Sequence, residues 1–179
     1  DKDKVNLFTM YGVKMRDKTF DQDIKVNIYA SNLDGAFIKE GLTRASGLSS
    51  KEDGEYKNDK ASHDKEASKQ KPRLYDVYLS DGLMNRFKIN MGDQISMKDE
   101  NRDVDYRLRV VGHTDLFATS MAIIMDRKDC NKMVGMKEYY YNGVFTDKKL
   151  KVEDKELATI INSSDMKKIA GQFMVNFKN

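Results

Sequence analysis

The chain has 179 residues, enough for one domain or two small lobes sharing a core. Its net charge of +3 is the balance of 32 basic against 29 acidic side chains, a solvated mixed surface rather than the basic footprint of a nucleic-acid binder. No window holds the roughly 18 to 20 apolar residues of a membrane span, and no basic-apolar-small signal opens the chain. A single cysteine, Cys130, excludes an internal disulfide and a multi-cysteine metal site. That fits the cytosol and equally the outer face of a Gram-positive cell. The opening on Asp1 rather than methionine points to a segment of a longer polypeptide.

In chain order, VNLFTMYGV (5–13) is rich in β-formers, and Ile24, Val26, Ile28 and Ala30 alternate with Lys25, Asn27 and Tyr29; both stretches predict strands with one buried face. RDKTFDQD is a polar connection between them. Residues 35–45 suggest a short helix bearing Phe37, Ile38 and Leu42, interrupted by Gly41. Residues 51–73 carry seven basic and six acidic residues with Tyr56 the only large apolar one, too little to offset ordering entropy. They predict a charged, mobile surface insertion that returns to structure at Pro72.

LYDVYLS is a strand, and Ser80 is placed to cap a two-turn helix with Leu83, Met84 and Phe87 on one side. Gly92-Asp93 then turns the chain into strand QISM: Gly92 can take positive φ to end the helix and start the strand, and Asp93 can hydrogen-bond the turn backbone. KDENRD makes a hairpin into VDYRLRVVG, where Tyr106, Leu108 and Val110 alternate with Asp105, Arg107 and Arg109. SMAIIM reads as a buried strand. Asp126 caps a helix with Cys130, Met133 and Val134 inward and Gly135 at its C-terminal stop. An aromatic strand around EYYYNGVF and another at LATII follow. Asn162 or Ser163 then caps an amphipathic helix with Met166, Ile169, Ala170 and Phe173 on one face. Strands with three or four short helices, not a regular βαβ alternation, make the expected class α+β.

No catalytic pattern emerges. Asp99, Asn101 and Asp103 match the first half of a calcium loop, but Val104 and Val110 stand where glycine and glutamate are required. Asp53 fails likewise, with Lys57 at a ligand position. His63 and His113 are the only histidines, too few for a metal site without carboxylates brought in by the fold. Ser62-His63-Asp64 are adjacent residues of a charged loop and cannot align as a triad. Cys130 reads as a packed thiol, and no phosphate-binding or nucleophile-elbow glycine motif occurs. Most of the eleven methionines, Met121 and Met125 above all, belong to the core, and a surface subset could form an adaptable contact face. Of Tyr139, Tyr140 and Tyr141, at least one should face outward.

Residues 74–136 resemble the extracytoplasmic domain of FtsX/MacB-type ABC-transporter permeases. The match runs from a strand and short helix (Tyr78 to Phe87) through the turn Ile89-Asn90-Met91-Gly92-Asp93-Gln94-Ile95. It continues through the strand Tyr106 to Gly112 and the apolar strand and helix Met121 to Met133. TIINSSDMKKIAGQFM is similar to the membrane-proximal helix of that family, whereas the insertion 51–73 and His113 depart from its pattern.

The resemblance implies a MacB periplasmic-domain-like architecture. Residues 1–48 and 137–179 would form a membrane-proximal α+β lobe of mixed sheet and short helices. Residues 49–73 would be the charged mobile insertion, and 74–136 an inserted, β-rich outer lobe. It further implies a non-catalytic extracellular domain on a membrane protein, with no cofactor and no metal, joined to the transmembrane part of the same permease. A cytoplasmic ABC ATPase would act on it indirectly. Its motions would serve export, extraction or sensing of a peptide, antibiotic or lipoprotein, or activation of a cell-wall partner. Lys, Asn and Ile usage suggests a Gram-positive source. The rival from another class is a secreted or surface-exposed hydrolase whose site assembles only in the fold. A third, a binder of acidic polymers, requires clustered basic patches that the interleaved charges do not suggest.

Overall fold

The computed structural model of the protein describes residues 5–48, 73–117, 120–146, 157–161 and 173–177. Its first element is a long hairpin: β1 (Val5–Asp17) and β2 (Gln22–Ser31) pair antiparallel from Phe8↔Ser31 to Asp17↔Gln22. The reversal is tight because the Asp17 carboxylate accepts the amides of Thr19 and Phe20 and Asp21 takes a left-handed φ of 51°. There follow β3 (Leu42–Arg44), β4 (Leu74–Ser80), α1 (Asp81–Phe87), β5 (Gln94–Asp99), β6 (Asp105–Thr114), β7 (Ala122–Asp126), α2 (Arg127–Val134), β8 (Gly143–Thr146), β9 (Leu157–Ile161) and β10 (Phe173–Phe177).

Six of these strands close into a barrel, β1-β2-β7-β4-β6-β5 and back to β1. The β2–β7 and β4–β6 junctions are parallel and the other four antiparallel. Six strands enclose room for side chains only, and every barrel strand contributes: Val13, Val26, Val77, Met97, Leu108 and Met125 lie in one buried cluster. Leu83 of α1 and Cys130 and Val134 of α2 join it. Successive residues belong to opposite faces, so Ile28, Val110 and Ile123 face the interior while Tyr29, Val111 and Ile124 enter a second cluster with Phe8, Phe37, Phe117 and Phe145. Burial on both faces is why AIIM is apolar throughout. In the second cluster Phe117, held at a positive φ of 55°, lies flat on Tyr29, ring centroids 4.2 Å apart and 5° from parallel.

These observations correct the expected α+β fold with an inserted lobe: the chain is mostly β, organised around a closed six-stranded barrel. β1 and β2, from the first part of the chain, are barrel staves beside β4, β5, β6 and β7, and β1 also pairs with β8. The helix expected at 35–45 is replaced by turns, a single 3-10 turn at Lys39–Gly41, and β3. Thr114 Oγ1 donates to the Gly41 carbonyl at 2.6 Å, and a Cβ at Gly41 would sit 2.4 Å from Leu116 Cγ. The chain is therefore pinned against β6 where a helix would have carried it away. Of the helix expected at 162–173, only Phe173 is described, and it opens β10; of the charged insertion expected at 49–73, all but Arg73 lies outside the described residues.

Both described helices carry the expected caps. Ser80 Oγ accepts the Leu83 amide and Asp126 Oδ2 the Asp129 amide. Gly135 closes α2 with a φ of 81°.

Candidate functional site

The Gly92-Asp93 corner is structural. Lys88, at a φ of 52°, ends α1, so Gly92 is not the helix stop; its own φ of 88° shapes the turn that follows. Asp93 Oδ2 accepts the Asn90 amide at 2.8 Å, and the corner locks onto β6 through Gly92 N to Val110 O at 2.6 Å and Val110 N to Asp93 O at 2.9 Å. The motif fastens the start of β5 beside β6.

Asp99, first residue of the failed calcium pattern, is buried and fully engaged. Its Oδ2 accepts the Tyr11 and Tyr106 hydroxyls, each at 2.6 Å, and its Oδ1 the amides of Asn101 and Arg102 at 2.9 and 3.0 Å. Arg102 bridges onward to the Tyr106 hydroxyl at 2.9 Å and the Val134 carbonyl at 3.0 Å, tying the β5–β6 hairpin to the end of α2. Burial alone would raise the Asp99 carboxyl, but the four donors outweigh it and hold the group well below the ordinary carboxylate range. Burial and the adjacent carboxylate push the Tyr106 hydroxyl up. The carboxylate spends its acceptors on the protein, which leaves none for a cation.

His113 Nδ1 lies 2.8 Å from Asp81 Oδ1, with both side chains more than a third exposed. This pair could orient an imidazole. Among the described residues no hydroxyl or thiol is bonded to the ring, and no group of three or more His, Cys, Asp or Glu could hold a metal ion. His63, Ser62, Asp64 and Asp53 lie outside the described residues. Cys130 is fully buried, and burial pushes its thiol up to about 12.

The tyrosine stretch departs from the expected strand, which is confined to Gly143–Thr146. Asn131, buried on α2, donates its amide to the carbonyls of Glu138 and Tyr140, and Arg127 also donates to Tyr140. Asn142 takes a strand's place beside Met10, accepting its amide at 2.7 Å and donating to its carbonyl at 2.9 Å. The loop so anchored leaves Tyr139 72% and Tyr141 44% exposed. A polar residue inside a short helix was the only clue to this anchor. Met125 is buried and Met121 packs against the core, whereas Met91 and Met136 are exposed.

One feature is invisible in the sequence. On the outer face of β1, Lys14 stands directly opposite Lys25 on β2 and Lys98 on β5, and Lys98 opposite Asp105 on β6. Lys25 reaches Glu100 at 3.4 Å and Lys98 reaches Asp103 at 3.5 Å, both at the protein surface. A groove of about 350 Å³ lies beside Lys14 and Lys98, lined by Lys14, Arg16, Asp23, Ser96, Lys98 and Asp105 but not by Lys25. Arg16 within it is engaged by Asp21 and Asp23.

No family model matches the chain, and no curated protein is found to be similar to it.

Proposed function

We propose that the chain is a non-catalytic extracellular domain of an ABC-transporter permease of the FtsX/MacB type. It would be joined to that permease's transmembrane part and driven indirectly by a cytoplasmic ATPase. The barrel would serve as a rigid outer body contacting an exported or extracted peptide, antibiotic or lipoprotein, or a cell-wall protein partner. The reading draws on the resemblance over residues 74–136.

The observation that best supports it is the arrangement of the first and last described strands. β1 and β10 flank β8, with Val5 and Phe173 both opposite Thr146. Two neighbouring strand spacings amount to roughly 10 Å, so the outermost strands of the described chain share one sheet. What supports the reading is the closeness of these two strands and no more: β1 and β10 run parallel, so the described chain begins at Val5 and ends at Phe177 toward opposite strand ends. No helix among the described residues is long and apolar enough to cross a membrane, so the reading places any membrane spans in flanking sequence.

The test is made on the parent polypeptide in its own cells. An impermeant amine reagent should label the barrel lysines in intact cells, and an ABC ATPase should co-purify with the polypeptide from detergent extracts. Deleting the barrel should abolish export while leaving the ATPase assembled. A domain shielded from the reagent until lysis, or recovered as a free secreted protein that hydrolyses a substrate, would overturn the reading and favour the hydrolase.

A further inference from the structure

We propose that the groove over β1 binds a phosphate-bearing ligand, with Lys14 and Lys98 as its principal contacts. The inference rests on strand register and charge alone and stands whether or not the permease reading does. Directly opposed side chains lie about 5 Å apart on a sheet, and like charges there are destabilising. Here three lysines from three adjacent strands stand in one row. The pleat fixes their direction: Val13 is buried in the barrel and Met15 packs against that core, so Lys14 between them faces the groove. The flanking lysines have surface carboxylates within 4 Å, whereas Lys14, in the middle, has no ion pair among the described residues.

The donor set suits phosphate better than carboxylate. Ammonium groups act as point charges that can converge on a tetrahedral group from several sides, whereas a planar carboxylate is matched by a guanidinium fork. The one guanidinium in the groove, Arg16, is engaged by Asp21 and Asp23. Ser96 adds a hydroxyl donor. Asp23 and Asp105 border the site and lower its net charge, so binding should be modest and salt-sensitive. A lipid headgroup and a soluble phosphate chain present the same chemistry.

The test titrates the 179-residue chain with inorganic tripolyphosphate at low ionic strength. In parallel the chain is sedimented with phosphatidylglycerol or phosphatidylcholine vesicles. Lys14→Ala and Lys98→Ala should each weaken binding about tenfold, the worth of one charge-assisted hydrogen bond. Lys128→Ala, on the exposed side of α2, should leave it unchanged. Lys14→Ala should not lower the melting temperature, since it relieves repulsion; this separates loss of binding from loss of fold. Co-sedimentation with phosphatidylglycerol alone, competed by tripolyphosphate, assigns a lipid source. Tripolyphosphate binding without co-sedimentation assigns a soluble one. Failure to bind either probe, or wild-type affinity in both groove variants, overturns the proposal.

Discussion

Asp99 concentrates more hydrogen bonds than any other side chain described above, and its chemistry sets an acid limit on the fold. Its folded carboxyl titrates below its unfolded value. Its contribution is therefore complete above about pH 5, where the unfolded carboxyl is ionised, and is lost as pH falls below about 4. Asp99→Asn should cost about 2 kcal/mol at neutral pH, because the buried Tyr106 hydroxyl and the partly buried Tyr11 hydroxyl lose a charged acceptor, and should flatten the acid side of the stability profile. Urea midpoints measured from about pH 3 to 7 check both. Tyr106 has the opposite sign: a hydroxyl titrating above its unfolded value supports the fold below about pH 10 and loses that support as pH rises further. Cys130, fully buried with its thiol pushed up to about 12, should resist an aromatic disulfide reagent at pH 8 in the native protein. It should react fully once the chain is unfolded in guanidinium.

At the level of elements, the Gly-Asp corner and the sheet's close approach can be separated by two glycine substitutions. At Gly92 an added Cβ would meet only Leu48 Cδ2, at 3.7 Å, so Gly92→Ala carries the cost of positive φ alone, about 1 kcal/mol. At Gly112 the same atom would lie 2.2 Å from the Thr43 carbonyl and 2.6 Å from the Tyr78 ring. Gly112→Ala should therefore cost about 3 kcal/mol by forcing β3 off β6; thermal melts of the two variants rank them. Local signals of this kind were readable beforehand. Ser80, Asp126 and Gly135 cap or stop helices by chemistry that acts within three or four residues, and alternation around Ile24 to Ala30 marked a strand. The helix expected at 35–45 misled because Thr114, some seventy residues on, holds the Gly41 carbonyl. The tyrosine loop misled because Asn131 and Asn142 supply bonds that a strand partner would otherwise make.

For the whole molecule, the decisive step is closure, and periodicity carries no information about it. Ile28 and Ile123 face each other across β2–β7, yet nothing near either residue names its partner. The lysine row was illegible for the same reason: residues 14, 25 and 98 become neighbours only through register. Closure makes the interior a single cooperative body, so Leu108→Ala, at a fully buried stave position, should cost about 3 kcal/mol in one two-state transition followed by circular dichroism.

The six junctions of that cylinder are unequal. β1–β2 aligns from Phe8 to Asp17 and β4–β6 from Leu74 to Ser80, but β1 meets β5 only at Val13↔Asp99 and Lys14↔Lys98, and β4 meets β7 only at Tyr78↔Ile124 and Leu79↔Ile123. These two thin seams lie on opposite sides and divide the staves into two shells of three, β1-β2-β7 and β4-β6-β5, clasped like the valves of a bivalve. One of the two seams sets Lys14 directly opposite Lys98 in register, so like charges meet where the pairing is thinnest.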